Sequence, residues 1–167
     1  MGQRTRIFTV IGRDLDLEEV CPRLKHCSYK ITSPKDPRYN CVAYAVGDLK
    51  AFWYDAGVKG YYWPPGVSSS ETIEGWVKVF ELHGYRETQD RTLEPEYEKI
   101  AIYASAEGPE HVARQKASGI WTSKMGKGVD LEHTLEALEG DFYGKVVKIM
   151  KRKCEGGRVL EETKADS

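Results

Sequence analysis

The segment 99–125, KIAIYASAEGPEHVARQKASGIWTSKM, carries the clearest structural pattern in the chain. Three short runs within it are rich in β-branched and aromatic residues: 99–104, 111–115 and 120–125. The dipeptides Gly108-Pro109 and Ser118-Gly119 separate these runs, and such pairs are typical of turns. The segment therefore predicts three consecutive strands of an antiparallel sheet.

The sequence that follows predicts one more helix and one more strand. Asp130 is expected to cap a helix that ends at Gly140, because apolar residues follow it at helical spacing: Leu131, Leu135 and Leu138. Residues 142–152, FYGKVVKIMKR, are expected to form the last strand of the sheet.

Two helices are predicted before the strands. Asn40 is a favourable N-cap for the apolar run 41–46, so Cys41 is expected in the first turn of a short helix. A longer helix, 70–83, is predicted from a capping-box pattern that begins at Ser68 and from apolar residues at helical spacing: Ile73, Trp76, Val77 and Phe80.

The first part of the chain is expected to contain a strand over 5–11 and a short helix over 15–25. The order of elements, with helices before an antiparallel meander, predicts an α+β fold with N-terminal helices packed on a small antiparallel sheet. We expect an N-terminal arm over 1–36 that packs on the domain, the domain itself over 37–152, and a polar, disordered tail over 153–167.

Composition limits the classes of partner. The chain has 167 residues, of which 25 are basic and 26 acidic, so no large field favours nucleic acid or an anionic membrane. No segment reaches the roughly 18 apolar residues that a membrane span needs. The first residues do not have the pattern of a secretion signal, so a cytoplasmic location is expected. The four cysteines include no CxxC pair, and free thiols are expected in a reducing compartment.

Cys41 and His111 are the candidates for a nucleophile and its proton acceptor. A thiol attacks as the thiolate, and a helix N-terminus or a nearby imidazolium lowers its pKa. Cys41 has the first feature by its predicted position, and His111 begins a predicted strand from which its ring could reach the end of the sheet. A third group should orient the imidazole. His133 is favoured over Asp130, which is occupied as a predicted N-cap, and Ser123 is a further candidate.

Two stretches resemble papain-like cysteine hydrolases, most of all the NlpC-type and CHAP-type amidases and peptidases. YNCVAYA (39–45) is similar to the helix that carries the nucleophile, and HVA (111–113) is similar to the strand start that carries the histidine. The resemblance implies a papain-like, NlpC-like fold that needs no metal or other cofactor. It also implies a peptide, amide or protein substrate.

A longer pattern looks like an uncharacterised bacterial domain family. Its motifs occur here as YNC at 39–41, WPP at 63–65, KIAIY at 99–103, HVARQ at 111–115 and WTSK at 121–124. This second resemblance covers most of the chain but implies no activity.

These patterns together predict a thiol hydrolase, in which Cys41 attacks an amide or related acyl bond and its backbone N–H helps to bind the oxyanion. The substrate cleft is expected to be lined by Asn40, Trp53, Trp63, Arg114, Trp121, Ser123 and Lys124. Two alternatives stay open: a non-catalytic binding domain on the same fold, such as an immunity or adaptor protein, and an acyltransferase or deamidase that uses the same dyad. A toxin or effector role fits the enzymatic hypotheses.

Overall fold

The structure is a computed structural model that describes residues 16–55 and 59–154. The strand predicted over 5–11 lies outside these residues, as does the tail beyond Cys154. None of the helices in the described ranges has the length and apolarity that a membrane crossing requires.

The elements follow one another along the chain as α1 (Leu17–Val20), a 3₁₀ helix (Pro22–His26), β1 (Lys30–Ile31), α2 (Cys41–Val46), β2 (Phe52–Trp53), β3 (Tyr61–Tyr62), α3 (Ile73–Leu82), β4 (Arg86–Thr88), β5 (Tyr97–Ser105), β6 (Gly108–Gln115), β7 (Trp121–Lys124), β8 (Asp130–His133), a second 3₁₀ helix (Glu136–Leu138) and β9 (Lys145–Lys153). Seven strands form the main sheet, in the order β1-β8-β7-β6-β5-β9-β4, and every pair in it is antiparallel. The predicted α+β class is confirmed, although the sheet is larger than the small one expected.

The three strands predicted from 99–125 are confirmed as β5, β6 and β7, and the last predicted strand is confirmed as β9. The predicted turn at Gly108-Pro109 is wrong, because both residues belong to β6. The chain reverses one step earlier, at residues 106–107. Pro109 lies beside a register shift in the β5–β6 ladder, where the pairing is irregular.

The helix predicted after Asp130 is wrong. Residues Asp130–His133 form β8, which pairs with β7 on one side and with β1 on the other. The Asp130 carboxylate accepts a hydrogen bond from the Tyr39 hydroxyl instead of capping a helix. Pairing with two neighbouring strands therefore outweighs the local helical spacing of the leucines.

The two predicted central helices are present with adjusted ends. Helix α2 begins at Cys41 as expected, with Asn40 as its N-cap. Helix α3 begins later than predicted because Thr72, not the expected capping box, accepts the hydrogen bond from the Gly75 N–H. The helix predicted over 15–25 is divided into α1 and a 3₁₀ helix that starts at Pro22, since proline lacks the N–H that α1 would need to continue.

The main sheet has a core on each face. We call the face that packs against α2 and α3 the helix face; its core contains Cys41, Trp76, Ile100, Ile102 and Val112. The opposite face packs against the N-terminal segment and the loop before β9. The core on this face includes Val20, Cys21, Leu24, Ala101, Tyr103, Ala113, Leu131 and Tyr143. The described part of the predicted arm thus contributes to the core, and β1 is an edge strand of the sheet.

Candidate ligand-binding site

Cys41 is held at the start of α2 by its neighbour Asn40. The Asn40 side-chain oxygen accepts hydrogen bonds from the N–H groups of Ala43 (3.2 Å) and Trp53 (3.0 Å), and its amide donates to the Trp53 carbonyl (2.9 Å). Asn40 therefore ties the helix start to β2, and its predicted contact with a substrate stays a prediction. Cys41 itself is 7% exposed and packs in the core of the helix face.

His111 lies on the opposite face of the sheet. Successive side chains of a strand point to opposite faces, and its neighbour Val112 lies in the same core as Cys41. The His111 ring instead stacks on Tyr143 (centroids 4.1 Å apart) and contacts Tyr103, both in the opposite core. The structure thus does not bring Cys41 and His111 together. The alternation of side chains along β6 is the physical reason.

His133 shares the face of His111. Its Nδ1 donates to the Thr134 carbonyl (2.9 Å), so Nε2 is the acceptor of the Ser123 hydroxyl (2.8 Å). Burial lowers the pKa of His133 to about 4. Burial also lowers the pKa of His111 well below its ordinary value, and the nearby His133 lowers it further. Both imidazoles are therefore buried and neutral. Two of the predicted site residues, His133 and Ser123, form a hydrogen bond with each other.

Asp130 and Lys124 lie on the helix face, next to Tyr39. The Tyr39 hydroxyl lies 3.1 Å from both Asp130 carboxylate oxygens, and the Lys124 ammonium lies 4.8 Å from the centre of the Tyr39 ring. Lys124 also donates to the Gly126 carbonyl. Both charged side chains are fully buried. Asp130 and Lys124 therefore form a buried polar cluster beside Tyr39, two residues before Cys41.

The three predicted cleft tryptophans make packing and anchoring contacts. The Trp53 indole donates to Asp48 (2.7 Å), and its ring packs against Tyr62. The Trp63 indole donates to the Ser68 carbonyl, 2.9 Å away. Trp121 lies in the core of the opposite face.

A cavity of about 580 Å³ lies on the helix face beside α2. Its floor is a row of four residues that pair across four strands, Arg114 with Thr122, Thr122 with Glu132 and Glu132 with Lys30. We call these four residues the floor row. The other lining residues belong to β1 and the loop after it, to α2 and the segments on either side of it, and to the position that follows β6: Ile31, Thr32, Ser33, Pro34, Asp36, Arg38, Tyr39, Tyr44, Leu49 and Lys116.

Tyr44 connects α2 to the floor row. Its hydroxyl forms a 2.9 Å hydrogen bond with that of Thr122, and its ring lies 4.7 Å below the Arg114 guanidinium. The Tyr39 ring stacks against Tyr44 with centroids 6.2 Å apart. Two tyrosines, one on each side of Cys41 in the sequence, thus form the wall of the cavity.

Ion pairs fix two parts of the cavity lining. Lys116 pairs with Glu132 at 2.5 Å, and Arg38 pairs with Asp36 at 2.7 Å. The Arg38 guanidinium bound to Asp36 lowers the pKa of that carboxyl to about 2. The first pair joins the position after β6 to β8, whereas the second is local to the loop after β1.

Arg114 is the predicted substrate-binding residue that lines this cavity. Sequence reasoning missed its other polar residues, because the floor row is defined by strand register, which a single sequence does not reveal. The two tyrosines of YNCVAYA, Tyr39 and Tyr44, were the available signal, since both line the cavity.

The chain belongs to a family described as a domain of unknown function (DUF7689), whose model matches residues 30–151. No curated protein and no solved structure matches the chain. Within the described residues, no group of three or more His, Cys, Asp or Glu side chains is placed to hold a metal ion.

Proposed function

We propose that this member of the family is a binding domain, and that its site is the cavity beside α2. The observation that carries the proposal is the floor row, which places arginine, threonine, glutamate and lysine side by side under a tyrosine wall. A volume of about 580 Å³ lies within the range of roughly 300–1,000 Å³ that is usual for ligand pockets.

The chemistry of the lining suits a small molecule or a short peptide segment. Tyr39 and Tyr44 offer apolar ring surface, while Thr122 and Arg114 offer hydrogen-bonding groups next to it. Ligand sites commonly combine aromatic walls with a few polar groups that fix orientation. We place this activity in the cytoplasm, in keeping with four cysteines that are all free thiols.

Isothermal titration calorimetry with three defined probes tests the proposal. The probes are a blocked, uncharged tripeptide, the same tripeptide with a free C-terminal carboxylate, and inorganic phosphate. We expect at least one of them to bind the wild-type protein. Thr32 is an exposed residue of the cavity lining that uses only its backbone N–H in β1–β8 pairing, so Thr32→Trp should obstruct the cavity and abolish binding.

The matched control is Thr134→Trp. Thr134 is also exposed but does not line the cavity, so this variant should bind like the wild type. Equal loss of binding in both variants, or unchanged binding in Thr32→Trp, contradicts the assignment of the cavity as the site.

A second candidate is a thiol hydrolase, of the amidase or peptidase type, that uses Cys41. Its specific support is the position of Cys41 in the first turn of α2, between the two tyrosines of the cavity wall. The His111 ring stacks on Tyr143 on the opposite face of the sheet, and His133 bonds to Ser123. The decisive question is therefore whether Cys41 is a reactive thiol.

Iodoacetamide labelling across a pH series, with peptide mapping of the product, answers that question. A hydrolase requires Cys41 to react faster than the half-buried Cys27 near pH 7, since only the thiolate is nucleophilic. Faster labelling of Cys27 at every pH removes the support for the hydrolase and leaves the binding proposal intact.

A further inference from the structure

We infer that the ligand of the cavity is a short acidic peptide segment, which adds an antiparallel strand to the main sheet at the outer edge of β1. This inference rests on the proposed function and names the ligand class and the binding mode of that site. Its basis is the direction of the backbone groups of β1, the extent of the cavity and the charge beside it.

β1 directs one set of backbone groups away from the sheet. In the part of the chain that the structure describes, it is the terminal strand of the main sheet, and its Ile31 lies opposite Leu131 of β8. The Thr32 N–H donates to the Asp130 carbonyl (2.9 Å), so the backbone of Thr32 faces β8. Residues of an antiparallel strand alternate between those that bond to one neighbour and those that face the other side. The N–H and C=O of Ile31 therefore point away from β8.

The cavity extends from the helix face to this outer edge. Lys30 pairs with Glu132 of the floor row, so its side chain lies on the helix face. Ile31 pairs with Leu131, which belongs to the opposite core, so its side chain points to the other face. Both Lys30 and Ile31 nevertheless line the cavity. The cavity therefore opens around the edge of β1, toward which the Ile31 N–H and C=O are directed.

An extended peptide can bond to these backbone groups. A peptide residue opposite Ile31 donates its N–H to the Ile31 carbonyl and accepts from the Ile31 N–H, as in strand addition to other sheet edges. The antiparallel direction matches every other pair in the main sheet. Pro34 follows soon after β1 and has no N–H to donate, so the edge favours a short segment over a long strand.

The side chains of β1 set the chemistry of this segment. The floor row ends at Lys30, which is exposed and has no ion-pair partner among the described residues. A peptide residue opposite Lys30 continues the row, so a carboxylate there forms a cross-strand ion pair. On the other face Ile31 is 53% exposed, and an apolar residue opposite it would cover it. The segment therefore combines an apolar residue with an acidic neighbour.

A second copy of the chain is a poorer match to this edge. Two copies related by a two-fold axis and paired at Ile31 would bring Thr32 of one copy opposite Lys30 of the other. That arrangement supplies no carboxylate to Lys30. A separate acidic segment satisfies both the backbone groups and the charge.

Calorimetry with the end-blocked pentapeptide Thr-Glu-Val-Glu-Thr tests the inference. With its valine opposite Ile31, its glutamates lie on the helix face, opposite Lys30 and Thr32. We expect it to bind the wild-type protein, and we expect N-methylation of the valine to weaken binding about tenfold, because the pairing N–H is lost. N-methylation of the second glutamate is the matched control, since that N–H points away from β1. Lysines in place of both glutamates should weaken binding.

Variants of the protein test the same contacts from the other side. Ile31→Pro removes the outward N–H but not the pairing of β1 with β8, so it should weaken binding about tenfold. Lys30→Gln should lower the affinity for the glutamate peptide. Its control is Lys25→Gln, since Lys25 is exposed and does not line the cavity. Circular dichroism checks that each variant is folded.

Equal binding of the parent and N-methyl-valine peptides overturns the inference, and so does failure of the parent peptide to bind at millimolar concentration. Equal binding of the lysine peptide also overturns it. A dimer in sedimentation equilibrium that Ile31→Pro dissociates would mean that a second copy occupies the edge instead.

The same measurements separate this inference from the proposed function. If Thr32→Trp abolishes binding of an earlier probe while the pentapeptide does not bind, the cavity stands and only the ligand class is wrong. If the pentapeptide binds Thr32→Trp and the wild type equally, the proposed function fails and the inference fails with it.

Discussion

The imidazole of His111 stacks on the phenol ring of Tyr143, with an angle of 15° between the two ring planes. Within the described residues, neither His111 Nε2 nor the Tyr143 hydroxyl has a hydrogen-bond partner, and both atoms are buried. Burial raises the pKa of Tyr143 well above its ordinary value, so both groups are neutral. A histidine in this setting stabilises the fold through ring packing and only in its uncharged form.

The two buried histidines should make stability depend on pH. Their pKa values are lowered in the folded protein, to about 4 for His133, while an unfolded histidine titrates near 6.5. Between these values the unfolded state binds more protons, so the free energy of unfolding should fall as the pH drops from about 6.5 to about 4. For His133 alone the loss is on the order of 3 kcal/mol. Urea unfolding, followed by tryptophan fluorescence across this range, measures it.

His111→Phe is the control for this pH dependence. Phenylalanine preserves the stacking on Tyr143 and removes a buried nitrogen that lacks a partner, so the variant should be at least as stable at pH 7. The free energy of unfolding of this variant should vary less steeply with pH, because unfolding takes up as much as one proton fewer than in the wild type. A loss of more than about 2 kcal/mol at pH 7 would show that His111 makes a necessary polar contact.

Asn40→Ala should destabilise the protein by about 2–4 kcal/mol. The change removes an N-cap, which costs about 1 kcal/mol, and leaves the buried N–H and carbonyl of Trp53 without their partner. Asn40→Ser keeps an N-cap oxygen for the Ala43 N–H and loses the contacts to Trp53, so it should cost less than Asn40→Ala. Thermal unfolding of both variants checks the order, and equal losses would contradict the account of the Asn40 contacts.

Cys41→Ala should fold with little loss of stability, because it removes a small side chain. Trp76→Ala should cost about 3–5 kcal/mol, because it empties the buried face of α3 and removes the indole hydrogen bond to the Ser70 carbonyl. The denaturant concentrations at which the two variants are half unfolded measure these losses of stability. Similar midpoints would mean that Cys41 contributes to the core as much as a large aromatic residue does.

Gly144→Ala should be far more disruptive than Gly47→Ala. Both glycines have positive φ, 78° and 93°, so both substitutions introduce backbone strain of about 1–2 kcal/mol. A methyl group at Gly144 would also overlap the Ala104 carbonyl, whereas at Gly47 it would meet open space. The difference in melting temperature between the two variants measures the close approach of the loop to β5. Equal shifts would contradict that approach.

The local elements of the fold could be predicted from the sequence where propensity and pairing agree. Helix α2, with its Asn40 cap, and strands β5, β6 and β7 belong to this class. Strand β8 does not, because its leucines have helical spacing and only the neighbouring strands hold it extended.

The candidate site was harder to predict because it depends on which way side chains point across a sheet. The similarity of HVA to a catalytic strand start says nothing about the register of β6, and a shift of one residue moves a side chain to the other face. The His111 ring therefore stacks on Tyr143 of the opposite core, while Arg114 lines the cavity. Arg114 was identified from its strand, whereas Glu132 and Lys30 become its neighbours only through the pairing of β1, β8 and β7.

Amide chemical-shift mapping of ¹⁵N-labelled protein during titration with inorganic phosphate or the tripeptide with a free carboxylate tests the cavity most directly. Binding in the cavity predicts saturable shifts concentrated at residues that line it, Thr32, Tyr44, Lys116 and Thr122. It also predicts that Thr32→Trp abolishes these shifts. Saturable shifts confined to another part of the molecule, or none with either probe, would contradict the assignment of the cavity as the binding site.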